Sequence, residues 1–309
     1  MNSITQLVSQ QVFIMLVLIV LGAVLTKLKV ITHNGTKEIA SILLNIVTPA
    51  LLIKAYQIDF DIKVLKDILT GFGLSVLIHI IYIVISKFMF FAIKDDYKRK
   101  VLKFTNIYSN AGFMGLPLQQ AVLGEQGVFY GAAYVTAFNL TLWTYGLMTM
   151  DRSSKRISAR KILINPGVIG LAAGVIILVL PVQLPPLIRT PISHLAALNT
   201  PLPMVFIGYS LSKVNLGKIL RDKTYYLACA VRLLLVPTIV IGVLYLAGIR
   251  DVLLLSMAIS ASAPVAAAVS MFAGKYEQDT ERAVNLVALS TVFSVITMPL
   301  FVSLVKLIA

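Results

Sequence analysis

Apolar residues run through this chain in blocks of about twenty, separated by short polar connections. A helix that crosses the hydrocarbon core of a bilayer needs about 20 mostly apolar residues. Read with that window, ten segments qualify: roughly 8–27, 38–56, 66–92, 101–123, 127–150, 162–180, 191–212, 223–246, 251–273 and 282–307. The connections leave no room for a soluble domain. The pattern therefore predicts an all-α polytopic membrane protein, one transmembrane domain over residues 1–309 with ten spans.

Composition narrows the class. Of 309 residues, 58% are hydrophobic and only 13% are charged, against about 25% charged in an ordinary soluble domain. A soluble enzyme, a secreted binding module and a disordered scaffold are excluded, and the lipid bilayer becomes the first partner. The net charge of +14 comes from 27 Lys and Arg against 13 Asp and Glu. With the N-terminus outside, 19 of the 27 fall in the five inner connections and 5 in the outer connections and C-terminal segment; Lys54, Lys87 and Arg232 lie within spans. Such asymmetry obeys the positive-inside rule. It predicts a multi-pass protein of the cell membrane with both termini outside, and it removes the reason to expect a nucleic-acid partner. A single cysteine, Cys229, excludes an intrachain disulfide and a cysteine-rich metal site. The three histidines are dispersed, and no HExxH, GxSxG or phosphate loop occurs. No enzyme activity, metal or cofactor is expected.

The chain also repeats itself. Five spans precede the basic loop 151–161 and five follow it, giving halves 1–150 and 162–309. A Thr-Pro pair recurs in the second span of each half, at Thr48-Pro49 and Thr200-Pro201. The fourth span of each half carries small residues before a proline: Asn110-Ala-Gly112-Phe-Met-Gly115-Leu-Pro117 in the first, Ser260-Ala-Ser262-Ala-Pro264 in the second. Five is odd, so the halves must lie in opposite orientation, as inverted repeats. Paired interruptions at corresponding positions of inverted halves point to a secondary transporter's binding site.

Proline removes a backbone donor and drives its predecessor out of helical geometry. Gly112, Gly115 and Pro117 are thus expected to end one half-helix and start another near Pro117, and Pro264 to do the same in the second half. Unpaired backbone cannot face lipid, so spans 4 and 9 are predicted to be broken and crossed near the midplane. Their free N–H groups and dipole ends would attract an anion without a formal charge. All thirteen carboxylates lie in loops or at span ends, so a relay built on an intramembrane carboxylate is not expected. Asn110 is the leading ligand contact, just ahead of the break. Gln119 and Gln120 open the second half-helix, and one should face the cavity. Ser260 and Ser262 are their counterparts, either as contacts or as small residues allowing close helix approach. Asn139, mid-span in the fifth helix, reads more strongly as an interhelical bonder. Arg232, the charge deepest in a span, either pairs with an anionic substrate or binds carbonyls freed at a helix break.

At these residues the sequence resembles the auxin efflux carrier family, which includes plant PIN-type carriers and bacterial malate and malonate permeases. Asn110…Met114-Gly115-Leu-Pro117-Leu118 is similar to the family's Asn…Met-Gly-x-Pro-Leu signature. Asn165-Pro166 and Leu180-Pro181 bound the sixth span, and Val231-Arg232…Pro237 resembles the family's Val-Arg…Pro. Phe272-Ala-Gly-Lys-Tyr276 and Met298-Pro299-Leu300 complete the series. The resemblance implies ten helices as two inverted five-helix repeats in a bile-acid-symporter-like fold. Spans 1, 2, 6 and 7 would form the scaffold and the other six an elevator-type transport unit. It also implies substrate contact at Asn110, Pro117 and Pro264. Plant members carry a long central loop, which shrinks here to 151–161, and the third span lacks an interior acidic residue. A small carboxylate is therefore the expected partner rather than auxin. The function expected is secondary transport of small organic anions. A sodium-coupled symporter on the same fold is the alternative, with a membrane sensor behind it, and a homodimer is compatible with either.

Overall fold

The computed structural model describes residues 3–57, 62–150, 164, 166–180, 184–214 and 216–308. The basic loop 151–161, the acidic positions Asp59 and Asp61, and the motif residues Asn165 and Pro181 lie outside them.

The described residues form helices and no named strand. In chain order they are α1 (Ser3–Lys27), α2 (His33–Ala55), α3 (Ile62–Met89), α4 (Asp96–Ile107), α5 (Leu116–Thr141), α6 (Leu147–Met150), α7 (Pro166–Val179), α8 (Pro186–Ala197), α9 (Pro201–Ser212), α10 (Leu216–Arg221), α11 (Lys223–Leu246), α12 (Asp251–Ser262), α13 (Ala267–Lys275) and α14 (Thr280–Ile308). Five stretches are long and apolar enough to cross a membrane: Gln6–Lys27, His33–Ala55, Lys66–Met89, Lys223–Leu246 and Thr280–Ile308. Many leucines, isoleucines and phenylalanines remain exposed on their outer faces, as expected where lipid is the solvent. Other apolar segments are divided into shorter helices. The fourth span is cut between α4 and the helix that follows it, and α12 and α13 are cut at Ala263–Ala266.

Prolines inside the spans explain most of a second feature. Among the described residues, wide π-helical turns occupy Leu43–Val47, Ala111–Gly115, Leu142–Gly146 and Val231–Leu235; in three of the four a proline follows two residues later, at Pro49, Pro117 and Pro237, and only Leu142–Gly146 lacks one. Proline cannot donate to the preceding turn and its ring crowds the carbonyl there. Widening that turn relieves the clash without ending the helix. Pro117 consequently sits in the first turn of α5 and does not cut the span, a correction to the expectation from sequence. The cut lies upstream, at Tyr108–Asn110, where Tyr108 is extended. Pro264 acts as expected, with Ala263 before it extended at φ −61° and ψ 146°.

Close backbone contact sets the packing. α1 lies against α9 through Gly22 and Gly208; a Cβ on Gly208 would meet the Ile19 carbonyl oxygen at 2.2 Å. α7 lies against the C-terminal part of α2. α5 turns sharply at Gly124, whose φ of +64° suits glycine. Asp222 caps α11 and draws three elements together. It accepts from Thr224 N–H at 3.0 Å, Lys98 Nζ at 2.9 Å and Arg282 Nη1 at 2.9 Å. Partial burial pushes this carboxyl up, but the bonds from Thr224, Lys98 and Arg282 outweigh that and hold it well below the ordinary carboxylate range.

Candidate functional site

The two interruptions cross and pair with each other. Asn110 N–H donates to the Pro264 carbonyl at 2.7 Å, and Ala266 N–H donates to the Tyr108 carbonyl at 2.9 Å. Ser109 and Val265 thereby form an isolated antiparallel bridge. Each break satisfies part of the other's exposed backbone, which permits unwound chain in an apolar setting. Two half-helices end at this crossing and two begin there.

The ending pair meets Arg232, which is fully buried. Its Nη1 donates to Asn106 O at 3.1 Å, Nη2 to Ala261 O at 2.7 Å, and both Nε and Nη2 to Ala263 O at 3.2 and 3.1 Å. These carbonyls belong to the C-terminal ends of α4 and α12, the negative poles of their dipoles. The guanidinium also lies 4.9 Å from the centre of the Tyr82 ring, a distance at which the ring face attracts a cation.

The beginning pair faces a small chamber of about 40 Å³, lined by Ser109, Asn110, Gly112, Phe113, Thr48, Asn139, Asn199, Ala266, Ala268 and neighbouring apolar side chains. The N–H groups of Ala111, Gly112 and Phe113 open one helix, and those of Ala267 and Ala268 open the other. None has a carbonyl one turn back within its own helix. Asn199 Nδ2 donates to Gly112 O at 2.8 Å. Asn110 Nδ2 and Asn199 Oδ1 are buried without a partner. The chamber has room for water or a carboxylate group, since about 10–15 Å³ of such space already holds one water.

Next to it lies a cavity of about 900 Å³ that shares Leu51 and Asn199 with the chamber wall. Pro117, Gln120, Tyr56, Gln57 and Thr200 line it, together with three charged side chains, Lys54, Arg189 and Glu125. Lys54, Gln120, Glu125 and Arg189 are exposed, so the cavity opens to the surface.

The profile of the family described as membrane transport protein matches residues 7–302. The chain belongs to this family, the auxin efflux carriers. An uncharacterized transporter of Methanothermobacter thermautotrophicus is 24% identical over 315 residues, which cover 95% of this chain and 97% of that protein. Membership makes the chain a multi-pass membrane transporter.

Within this auxin efflux carrier chain, the residues singled out from sequence separate into three groups. Asn110, Gly112 and Asn139 line the chamber, although Asn139 Nδ2 donates to Val135 O of its own helix at 2.9 Å. Pro117 and Gln120 line the larger cavity. The rest touch neither. Gln119 is buried and donates to Ser256 O and Ser260 Oγ, both at 2.9 Å, joining the start of α5 to α12. Ser262 bonds to Ile259 O within its own helix. Gly115 faces Ser260 across the helix contact, and Pro264 contributes its carbonyl to the crossing. Arg232 does not line either space, because helix-end carbonyls hold its guanidinium. Thr48, Lys54, Arg189, Asn199 and Thr200 line these spaces and were missed as site residues. The repeated Thr-Pro pairs at 48–49 and 200–201 were the signal for three of them, since Asn199 directly precedes the second pair.

Proposed function

We propose that this carrier is a secondary transporter of small organic anions, carboxylates such as malate, malonate or a related acid. The observation that carries the reading is the chamber. Two helix N-termini and the unpartnered Asn110 amide meet there, and no carboxylate lines it. Positive dipole ends and free N–H groups are what a carboxylate needs. One carboxylate group fits the chamber, and the remainder of the acid lies in the larger cavity beside Lys54 and Arg189. Substrate contacts are then Asn110, Gly112, Pro117, Gln120 and Asn199, with Asn139 completing the wall.

The reading places the chain in the cell membrane as two inverted five-helix repeats, 1–150 and 162–309, with the termini and the large cavity outside. Spans 1, 2, 6 and 7 serve as the scaffold, a division favoured by the packing of α1 on α9 and of α7 on α2. The crossed helices and their neighbours move against that scaffold as an elevator. Sodium coupling is set aside on a specific ground. Carbonyls at the ends of broken helices are the usual seat of a coupling cation, and here Arg232 already binds them.

The test is counterflow in proteoliposomes with a panel of labelled acids: acetate, malonate, malate and indole-3-acetate. Saturable, sodium-independent exchange of at least one small acid is expected. No exchange with any of them overturns the reading, and exchange that requires sodium restores the symporter.

A further inference from the structure

The third span contains a buried histidine that the anion site does not use. His79 is fully buried. Its Nδ1 lies 2.7 Å from the Ser75 carbonyl. A carbonyl oxygen only accepts, so Nδ1 carries the hydrogen and Nε2 presents its lone pair. That Nε2 has no hydrogen-bond partner. A buried acceptor left empty is uncommon and calls for a reason.

Its surroundings supply one. The His79 ring lies 5.0 Å from the Tyr134 ring, 5.6 Å from Tyr82 and 6.3 Å from Phe138. Tyr134 Oη is 2.9 Å from Ser109 Oγ and donates to Tyr82 Oη at 3.1 Å. Ser109 and Phe138 both line the chamber. A line of hydroxyls thus runs from the chamber, through Ser109, to two tyrosines whose rings lie tilted against an imidazole with a free lone pair. The ionisable groups facing His79 are Tyr82 on its own helix, Tyr134 from α5 and Arg232 from α11. From α12 the neighbour is Met257, reached through Ser75 Oγ. No carboxylate stands among them.

We propose that His79 is a proton-binding site that couples anion transport to the proton gradient. The proposal rests on the carrier reading above. With the chamber empty, a proton on Nε2 would place a second cation in the membrane interior next to Arg232, and nothing negative would balance it. An anion in the chamber supplies that balance. Each ligand then favours binding of the other by the same factor, as linkage requires, and proton and anion cross together. The proton leaves water in the chamber, passes along the Ser109, Tyr134 and Tyr82 hydroxyls, and forms an N–H bond at Nε2. It departs to water when the carrier opens on the other side. The last transfer needs a tyrosine ring to swing, because Nε2 makes no hydrogen bond in this conformation. The arrangement also answers how a chain without an intramembrane carboxylate can respond to protons.

The experiment uses the full chain in proteoliposomes, with membrane potential clamped at zero and labelled malonate or malate as probe. Counterflow at equal pH is measured first, then uptake under an acid-outside gradient. For one coupled proton, each pH unit supports up to about tenfold accumulation. The wild type is expected to do both. His79→Gln is expected to keep counterflow and lose gradient-driven accumulation. Tyr134→Phe, which cuts the hydroxyl line and leaves His79 in place, should slow accumulation far more than counterflow. Wild-type counterflow without accumulation overturns the proton site and leaves the carrier reading intact. Accumulation that survives His79→Gln does the same. Loss of counterflow in both variants overturns it too, because the site is claimed to be separable from translocation. Absence of wild-type counterflow for every acid overturns the carrier reading itself.

Discussion

The crossing of the two broken helices has two poles, and they are treated in opposite ways. On the side where α4 and α12 end, three carbonyls point at a guanidinium that is part of the chain. On the side where the next helices begin, Asn110, with its unpartnered side-chain amide, and the first residues of those helices line a chamber with no carboxylate among its lining residues. Broken helices present partial charges of both signs wherever they cross. This protein neutralises one sign with its own Arg232; on the carrier reading proposed above, the other is left for the substrate. A crossing with both poles filled would be a structural strut, and one with both poles open would be costly in an apolar interior. The contrast also separates the residues by kind: a cation where the backbone ends must be held, and small or amide side chains around the chamber proposed to take the substrate.

Replacing the permanent cation should have the largest effect. Arg232→Leu leaves the carbonyls of Asn106, Ala261 and Ala263 buried without partners, each at a cost of about 1–3 kcal/mol. The variant is expected to lose its folded, monodisperse form in detergent, as read by size exclusion and thermal melting. Arg232→Lys should recover part of that stability, since an ammonium offers charge and three donors but not the planar fork. A stable Arg232→Leu that merely transports poorly would reassign the arginine to the substrate.

At the open pole the expectation reverses. Asn110→Ala should reduce counterflow about 10- to 100-fold, the value of one hydrogen bond to a charged group, with a melting temperature close to wild type. A melting temperature that falls as far as in Arg232→Leu would make both poles structural.

Asp222 tests how much of this depends on burial. Its carboxylate also gathers cations and a cap, but at the end of the bundle with about a quarter of its surface exposed. Because its folded-state pKa is depressed, its contribution is present above the ordinary value of 3.8 and lost as pH falls through the folded value. Asp222→Asn should cost roughly 1 kcal/mol at neutral pH and lose less stability than wild type on acidification below about pH 4. Thermal melting across pH measures both.

The smallest effect is expected at the cavity wall. Lys54→Gln and Arg189→Gln should each raise the half-saturating anion concentration about two- to threefold, and the difference should shrink in high salt as exposed charges are screened. A salt-insensitive loss of transport in either variant would place that cation in direct contact with the substrate.

The hydrophobic runs marked the chain as helical and membrane-spanning, and among the described residues five stretches are long and apolar enough to cross a bilayer, because that demand for length and apolarity is written locally. The two interruptions were also legible, since proline and small residues act on their own stretch of backbone. Placing the first cut was not. Pro117 reads as a break, yet a widened turn absorbs it and the chain opens at Tyr108–Asn110, where the facing segment Pro264–Ala266 pairs with it through hydrogen bonds. That choice depends on residues more than 150 positions away. Arg232 shows the same limit: sequence marked it as buried charge and left its partner open between substrate and backbone.

Sequence by itself determined the membrane class, the charge asymmetry and the places where helices would be stressed. Each follows from interactions between a residue and solvent or its own turn. Only the tertiary structure decided which of Gln119 and Gln120 meets the cavity, that Ser260 holds Gln119, and that Asn199 joins the chamber to the larger cavity. It alone set His79 beside the tyrosine hydroxyls. These pairings are made between distant segments, and their energies depend on distance and burial that no local pattern contains.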